Sequence, residues 1–413
     1  MPDPPVVVVG AGPAGLAAAI ELRRRGVAPV VVVEREPEAG GIPRHAAHQG
    51  FGLRDLRRPL SGPAYARRYL ELARAAGVEL LTETMVTGWA GPGLTLELTG
   101  PGGRSSLAPG AVVLATGCRE RPRSARLVPG SRPAGVMTTA MLQQLVYLQG
   151  RSLGSRALVV GAEHVSFSAI ATLAHGGART IALTTELPRH QSLAAFRLGA
   201  LARYRVPVWT RSRVSAIRGR ERVDEVELTD LDGGAVRTVA CDTVVFSADW
   251  IPDHELAVLA GLELDRGTRG PVVDAELRTS RPGVFAAGNV LHGAEQADVA
   301  ALGGRHVAAG VARYLAEGGW PERRVPVVCE PPLGWIAPNA VGPPPGQAPT
   351  RDRFLLRAHE LLRAPAIEIV QDDRVLWSGR RARLMPGRSA SLPHAWTGRV
   401  DPDGGAVRVG LRR

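Results

Sequence analysis

The stretch VVVVGAGPAG, residues 6–15, decides the fold of this chain. Four consecutive valines predict a strand buried on both faces, and three glycines follow in the spacing G-x-G-x-x-G. A helical stretch, 16–25, and a second valine-rich strand, 30–33, come next, and Glu34 ends that strand. This order predicts a βαβ unit that binds a dinucleotide. The glycine turn lets a pyrophosphate approach the helix N-terminus, and the carboxylate can accept hydrogen bonds from ribose hydroxyls.

A second βαβ pattern lies in the middle of the chain, but its glycine turn is altered. The apolar run 157–160 predicts a strand, GAEHVS at 161–166 stands in the place of the turn, and the run 181–186 predicts the next strand. Glu163 replaces the second glycine and Ser166 the third. A carboxylate at that point would repel a pyrophosphate, and a side chain at the third position would disturb close packing. The pattern therefore predicts a retained fold that binds NAD(P) poorly.

Two further segments belong with the first unit. AVVLATG at 111–117 is an apolar strand that ends in a small-residue turn, and TSRPGVFAAGN occupies 279–289. Together with the N-terminal turn, they resemble the paired FAD motifs of the two-dinucleotide-domain flavoproteins, the group that contains thioredoxin and glutathione reductases. The resemblance implies an α/β protein with two Rossmann-like dinucleotide-binding domains. The FAD-binding domain would be discontinuous, 1–120 and 245–320, and the NAD(P)-binding-like domain 121–244 would be inserted into it.

The composition changes after about residue 320. Prolines are frequent in residues 321–350, which predicts a loop-like connection. Beyond it, residues 366–377 alternate in polarity on both sides of an Asp-Asp pair, which predicts a β-hairpin. We therefore expect residues 351–413 to form a small β-rich cap.

Several longer motifs carry a narrower resemblance. GGIPR at 40–44, HQGFGL at 48–53, CRERPR at 118–123 and GNVLH at 288–292 resemble FAD-containing subunits of bacterial dehydrogenases. The substrates of those enzymes are amines, opines, hydroxyproline and glycerol 3-phosphate, and hydrogen cyanide synthase has a similar subunit. The resemblance implies an FAD-dependent oxidoreductase that is a subunit of a multi-subunit amine-, opine- or hydroxy-acid-type dehydrogenase. Two alternatives stay open: an NAD(P)H-dependent flavoprotein reductase, and a non-catalytic relay or scaffold subunit for a partner flavoenzyme.

The resemblance also assigns cofactor contacts to this chain. Asn289 stands where relatives carry an aspartate, and its amide can still hydrogen-bond a ribityl hydroxyl. The helix predicted over 298–315 would point its N-terminus at the isoalloxazine ring. The expected FAD-binding residues are Gly10, Gly12, Pro13, Ala14, Gly15, Glu34, Arg35, Gly41, Ile42, Arg44, Val86, Ala115, Thr116, Gly117, Gly288, Asn289, Asp298 and Val299.

No catalytic residue is evident from the sequence. His48 and His292 lie in motifs that adjoin the expected flavin site, and histidine suits proton transfer near neutral pH. Packing in the FAD pocket is the favoured interpretation of both, because hydride transfer to a flavin needs no protein base. Ala46 stands where some relatives carry a cysteine, and the three cysteines, widely separated, supply neither a CxxC redox pair nor the ligands of an iron–sulfur cluster.

The composition excludes several classes of enzyme and of partner. All 51 basic residues are arginines, so chemistry that needs a lysine amine is excluded. The net charge is +12, but the arginines are scattered and no nucleic-acid-binding motif accompanies them. No metal site is expected. Without a signal peptide or an apolar run long enough to span a membrane, the chain is expected to be cytoplasmic. Its expected partners are a small-molecule substrate and other dehydrogenase subunits, namely a second flavoprotein or a ferredoxin-like chain.

Overall fold

The computed structural model describes residues 3–293 and 295–412. They form two compact units, each described by itself below. Unit 1 contains residues 3–44, 49–118, 252–293 and 295–412, and unit 2 contains 45–48 and 119–251. The predicted domain boundaries stay predictions, although unit 2 resembles the inserted domain expected from the sequence.

The α-helices are short except for the last. In chain order those of the described residues are α1 (Pro13–Arg24), α2 (Gly62–Ala75), α3 (Thr139–Gln143), α4 (His164–His175), α5 (Ala194–Tyr204), α6 (Glu255–Leu259) and α7 (Ala297–Glu317). Within 3–293 and 295–412, no helix has the length and apolar character needed to cross a membrane.

The strands are numbered along the chain. The first group is β1 (Val6–Val9), β2 (Val30–Val33), β3 (Gln49–Phe51), β4 (Leu60–Ser61), β5 (Glu79–Leu81), β6 (Met85–Trp89), β7 (Leu96–Gly100), β8 (Gly103–Leu107) and β9 (Ala111–Leu114). The second is β10 (Cys118–Glu120), β11 (Val136–Thr138), β12 (Arg156–Val160), β13 (Arg179–Thr184), β14 (Val208–Trp209), β15 (Ser212–Arg218), β16 (Glu225–Asp230), β17 (Val236–Ala240), β18 (Thr243–Phe246) and β19 (Trp250–Pro252). The third is β20 (Val284–Ala286), β21 (Val325–Cys329), β22 (Leu333–Ala337), β23 (Ala340–Val341), β24 (Arg353–Ala358), β25 (Leu362–Arg363), β26 (Ala366–Gln371), β27 (Arg374–Arg380), β28 (Arg383–Leu384), β29 (Ala390–Pro393) and β30 (Val407–Leu411).

A five-stranded parallel sheet organises the first part of unit 1. Its strand order is β20-β9-β1-β2-β5, and β1 pairs in register with both β2 and β9. Every residue of β1, β2, β9 and β20 is buried, as expected for strands of a parallel sheet covered on both faces. Helices α1 and α7 pack against each other. The predicted first βαβ unit is therefore confirmed, and its turn lies at the carboxyl ends of the strands.

Unit 2 contains the second predicted βαβ unit. Its five-stranded sheet has the order β11-β18-β12-β13-β14 and all its pairs are parallel. Helix α4 connects β12 to β13, as the sequence pattern predicts. A separate antiparallel sheet, β15-β16-β17, completes this unit.

The C-terminal part of unit 1 is built from β-sheets around a core of its own. One sheet has the order β23-β21-β30-β26-β27 and another the order β22-β24-β29. The predicted hairpin is confirmed, because β26 pairs antiparallel with β27. Over residues 321–350 the structure differs from the loop-like connection expected from the sequence. Strands β21, β22 and β23 lie in this segment and join these sheets. Most of its prolines fall between short apolar runs, and those runs bury Val327 and Ile336.

Candidate functional site

The turn between β1 and α1 has an open space above it. Gly12 is the N-cap of α1 with no side-chain cap, Pro13 is the first helical residue, and a Cβ on Gly12 would meet no atom within 4 Å. At Gly15 the packing is much closer, because a Cβ there would lie 1.9 Å from the carbonyl oxygen of Gly10. The neighbouring Ala14 is buried. The helix therefore presents its first N–H groups to a space that an anion can enter.

Glu34 lies beside this turn at the end of β2. Its side chain is buried, Oε2 accepts the N–H of Ala11 at 2.9 Å, and Oε1 accepts the N–H of Glu36 at 2.9 Å. Each carboxylate oxygen keeps a lone pair that can accept from a ribose hydroxyl. Arg35 is exposed instead, and its Nη1 lies 3.5 Å from Oδ2 of Asp253.

The loop that carries Gly41, Ile42 and Arg44 rests on the same turn. The N–H of Gly40 donates to the carbonyl of Ala11 at 2.8 Å, and a Cβ on Gly41 would come within 2.9 Å of the Cα of Gly12. Ile42 is 49% exposed, although it is a large apolar residue. Arg44 pairs with Glu38 at 3.2 Å, while its buried Nε has no hydrogen-bond partner among the described residues.

The ATG turn at 115–117 is held next to the first turn. The N–H of Ala115 donates to the carbonyl of Val9 at 2.9 Å. The hydroxyl of Thr116 donates to the carbonyl of Asp253 at 2.6 Å, and the N–H of Asp253 donates to the carbonyl of Gly117 at 2.9 Å.

Val86 has a different setting from these turn residues. It lies in β6, within the antiparallel sheet β6-β7-β8, and its side chain is buried in the core of unit 1. Its backbone is therefore the part of this residue that could face a cofactor.

Gly288 and Asn289 follow β20, at the same end of the sheet. Gly288 has a φ of +78°, and a Cβ there would lie 2.6 Å from the Cβ of Ala14. Both polar atoms of the Asn289 amide bond the backbone of Glu295: Oδ1 accepts its N–H at 2.9 Å and Nδ2 donates to its carbonyl at 3.2 Å. An aspartate could accept the N–H of Glu295 but could not donate to its carbonyl. The loop conformation therefore explains why an asparagine stands at this position.

Asp298 and Val299 begin helix α7. The side chain of Asp298 is 2% exposed, and it accepts the N–H of Val299 at 3.0 Å and that of Arg54 at 3.2 Å. It also forms an ion pair with the Arg54 guanidinium at 3.0 Å. The carboxylate and the first turn of α7 are thereby fixed against the segment that carries Arg54.

The two histidine candidates have unlike settings. His292 is buried in unit 1, where its ring stacks on that of Trp335 with centroids 4.9 Å apart and planes at 20°. Burial lowers the pKa of His292 to about 4, so the imidazole is neutral at physiological pH. His48 is exposed and belongs to unit 2. For His292 these facts support the packing interpretation over a role in proton transfer.

Residues from the C-terminal sheets also reach this region, and the sequence did not predict them. Trp335 contacts His292, and Arg357 and Ser389 contact Glu295. No motif marks them, and they are far from that segment in sequence. Only knowledge of the strand pairing could have found them.

These residues fit an FAD molecule. The open space at Gly12, the buried and unpartnered Nε of Arg44 and the accepting oxygens of Glu34 match a pyrophosphate and a ribose in chemistry. Gly10, Gly12, Gly15, Gly41 and Ala115 would then approach the cofactor through their backbones. When bound, FAD supplies the capacity to accept a hydride.

The corresponding turn in unit 2 does not fit a nicotinamide nucleotide in the same way. Glu163 is the N-cap of α4 and forms a capping box with Ser166, whose hydroxyl accepts the N–H of Glu163 at 3.1 Å. The buried Ser166 hydroxyl also donates to that of Ser247 at 2.9 Å. The expectation that Ser166 disturbs packing is therefore wrong, because hydrogen bonds accommodate its side chain. Glu163 still places a carboxylate where the FAD turn has open space.

The thiols of the chain form no redox pair. No disulfide joins Cys118, Cys241 and Cys329, and burial raises the pKa of Cys241 to about 11 and that of Cys329 still further. A thiol with a raised pKa is a poor nucleophile at neutral pH.

Comparison with known proteins agrees with this geometry. The chain matches the model of the family described as pyridine nucleotide-disulphide oxidoreductase over residues 4–304. It is 32% identical over 300 residues to a ferredoxin–NADP reductase of Salinispora tropica, a match that covers 69% of this chain and 85% of that protein. It is 28% identical over 333 residues to an opine oxidase subunit of Rhizobium meliloti, covering 71% of this chain and 60% of that protein.

Solved structures support the fold. The thioredoxin reductase of T. acidophilum superposes with a TM-score of 0.61 at 22% identity, over 74% of this chain and 96% of that one. The predicted α/β class with two dinucleotide-type domains and the predicted FAD cofactor are confirmed. Because the family model covers well over half of the sequence, this chain belongs to the pyridine nucleotide-disulphide oxidoreductase family and is an FAD-dependent oxidoreductase.

Proposed function

We propose that this chain is the FAD-carrying subunit of a multi-subunit dehydrogenase that oxidises an amine, amino acid or hydroxy acid. The observation that carries the proposal is the contrast between the two turns. The turn at Gly12 is open above the N-terminus of its helix, whereas the turn in unit 2 carries Glu163. A chain with one functional dinucleotide site can receive electrons from a substrate or a partner, but not readily from NAD(P)H. The similarity to the opine oxidase subunit of Rhizobium meliloti supports this assignment.

The proposal requires an electron acceptor outside the chain. The three cysteines are separated in sequence and form no disulfide, and two of them have raised pKa values, so they offer no dithiol relay. We propose that a second flavoprotein or a ferredoxin-like chain, acting as a further subunit, provides that acceptor.

One alternative, an NAD(P)H-dependent flavoprotein reductase, is favoured by a specific observation. The chain is 32% identical to a ferredoxin–NADP reductase, and unit 2 keeps the parallel sheet of a nucleotide-binding domain. Glu186, which follows β13, could contact a ribose, but Arg213 donates to its Oε2 at 3.0 and 2.9 Å. An arginine there would suit a 2′-phosphate better than a free hydroxyl. If either cofactor is used, NADPH is therefore favoured over NADH.

Anaerobic stopped-flow spectroscopy of the FAD-loaded chain separates the two functions. We expect micromolar NADH or NADPH to bleach the flavin absorbance poorly, because a carboxylate opposing a diphosphate costs a few kcal/mol, or about a hundredfold in affinity. Rapid bleaching of the wild-type protein would reject the dehydrogenase-subunit proposal and support the reductase.

The variant Glu163→Gly tests the physical reason. If it gains bleaching by NADPH, the carboxylate is the cause of poor binding. Glu221→Gly, which removes an exposed carboxylate elsewhere in unit 2, is the control and should leave the rate unchanged. Bleaching of the isolated wild-type chain by a candidate amine or hydroxy acid would further argue against a purely non-catalytic relay or scaffold.

A further inference from the structure

One end of the sheet β22-β24-β29 carries three polar or aromatic side chains. Trp335 in β22 pairs with Arg357 in β24, so the two residues are direct cross-strand neighbours. Ser389 immediately precedes β29, whose first residue Ala390 pairs with Leu356. Side chains directly opposite each other in an antiparallel pair share one face of the sheet. The strand register therefore brings a tryptophan, an arginine and a serine together.

These three residues contact the loop that precedes α7. The Nη2 of Arg357 lies 3.6 Å from Oε1 of Glu295 and donates to Oγ of Ser389 at 3.2 Å. Ser389 in turn donates a hydrogen bond to the same oxygen of Glu295. The Arg357 guanidinium also lies over the ring of Trp335, 5.0 Å from its centroid. The Arg357 and Glu295 side chains are 11% and 17% exposed, so water screens their interaction only partly.

The loop transmits this contact to the expected flavin site. Asn289 bonds both the N–H and the carbonyl of Glu295, and helix α7 begins two residues after Glu295. His292, between them in sequence, stacks on Trp335. The position of Glu295 therefore determines where the Asn289 amide and the start of α7 lie.

We propose that Arg357 is a positioning residue of the flavin site, and that the C-terminal β-sheets are thereby part of the redox unit rather than a separate cap. Arg357 acts through Glu295, and it holds the loop in the conformation that presents Asn289 and the N-terminus of α7 to FAD. The proposal rests on the FAD site and is independent of the substrate.

The contact between Arg357 and Glu295 is not required to attach the C-terminal sheets to the rest of unit 1. A second set of contacts already does so. Arg278 donates to Asp274 at 2.7 Å and also to the carbonyl of Pro343 at 3.3 Å. Asn339 accepts the N–H of Val273 at 2.8 Å. Replacement of Arg278 is therefore a control that weakens the attachment of the C-terminal sheets without changing a contact of the 288–298 loop.

The test uses the full chain loaded with FAD and compares Arg357→Ala, Arg357→Lys and Arg278→Ala. Three quantities are measured: the dissociation constant of FAD from its fluorescence, the visible flavin spectrum, and the thermal midpoint. We expect Arg357→Ala to weaken FAD binding by about tenfold and to alter the spectrum. Arg357→Lys should not rescue either property, because an ammonium lacks the planar donors that bridge Glu295 and Ser389 and the flat surface that stacks on Trp335.

Arg278→Ala should lower the thermal midpoint and leave FAD affinity and spectrum at wild-type values. Wild-type affinity and spectrum in Arg357→Ala would overturn the proposal, as would an equal loss of affinity in Arg278→Ala. If Arg357→Ala does not fold, Glu295→Gln provides the same test. It keeps the volume and the backbone contacts with Asn289 while weakening the ion pair, and it should weaken FAD binding about threefold. Unchanged binding in this variant would contradict a positioning role for the pair.

Discussion

At the residue scale, the two turns that begin α1 and α4 differ by the presence of one side chain. A Cβ on Gly12 would enter open space, whereas the corresponding position in unit 2 carries the Glu163 carboxylate at the N-terminus of α4. The dipole of a helix favours negative charge at its N-terminus. In the first turn that place is available to a ligand, and in the second the chain supplies a negative charge of its own.

Gly12→Glu is expected to yield a folded, colourless protein. The new side chain meets no protein atom at its Cβ, so the fold should persist, but the charge would oppose the FAD pyrophosphate. The measurement is the ratio of visible to ultraviolet absorbance after purification, together with the thermal midpoint. Gly102→Glu, at an exposed turn with equally open space, is the control and should be yellow. A yellow Gly12→Glu protein would refute the assignment of this turn.

The buried carboxyl of Glu120 should make the stability of the folded protein depend on pH. Burial raises the pKa of this carboxyl from 4.5 to about 7, although the N–H of Ala140 donates to it at 2.8 Å. The folded state holds this proton more tightly than the unfolded state, so ionisation of Glu120 destabilises the fold. The free energy of unfolding therefore decreases as the pH rises from about 4.5 to 7, and this loss is complete above pH 7. Glu120→Gln keeps the accepting oxygen and cannot ionise.

Denaturant unfolding at pH 5 and pH 8 measures this effect. We expect Glu120→Gln to gain stability over the wild type at pH 8, on the order of 3 kcal/mol, and much less at pH 5. Glu322→Gln, an exposed site, controls for the loss of one negative charge. An equal gain at both pH values would show that the carboxyl does not titrate in this range.

At the element scale, the contact between α1 and α7 fixes the geometry of the FAD turn. Gly304 lies at the closest point, since a Cβ there would be 2.0 Å from the carbonyl oxygen of Ala14. For Gly303, one residue earlier, the nearest atom would be 3.7 Å away. Two adjacent glycines of one helix therefore differ in whether they can be replaced.

We expect Gly304→Ala to destabilise the protein by about 1–3 kcal/mol or more, because the helices must separate. Its FAD content should fall as well, since Ala14 belongs to the first turn of α1. Gly303→Ala should be tolerated, and could gain roughly 0.5–1 kcal/mol from helix propensity. Thermal unfolding of the two variants, with FAD quantified in each, distinguishes them. Equal behaviour of both would contradict the close approach at Gly304.

The elements that sequence could predict are those with local signals. Runs of buried valine and the glycine turn predicted β1, α1 and β2, and the same periodicity predicted β12, α4 and β13. The strands within 321–350 were not predicted, because their apolar runs are short and flanked by prolines. The site contacts of Arg357 and Trp335 depend on a strand register that no local pattern encodes. The contact of the Asn289 amide with a ribityl hydroxyl stays a prediction, whereas its bonds to Glu295 depend on how the loop folds, which no local pattern encodes.

At the scale of the whole molecule, charge is the property that bears on association. The chain has 51 arginines against 39 acidic residues and a net charge of +12. Like-charged copies repel one another, and an acidic partner is attracted at low ionic strength. Such attraction weakens as salt shortens the screening length to about 10 Å at 0.1 M.

We expect native extract at low salt to contain this chain in a complex larger than the single polypeptide. Size-exclusion chromatography with light scattering, repeated at high salt, measures the complex and its salt dependence. Identification of a flavoprotein or an iron–sulfur protein in that complex would support the assignment to a multi-subunit enzyme. A single chain that is fully active on its own with oxygen or a dye would argue against an obligatory partner, though not against FAD.

The strand order of the first sheet also sets the sequence of events during synthesis. Strand β1 leaves the ribosome before the rest of its sheet, yet that sheet includes β20, and helix α7, which packs against α1, also follows more than 270 residues later. The segment 119–251 of unit 2 is continuous and can fold as it emerges, because domains generally fold as units during translation. The nascent chain therefore completes unit 2 before unit 1. We expect FAD to be retained only once translation has passed α7, and Ser389 supplies the last of the loop contacts later still.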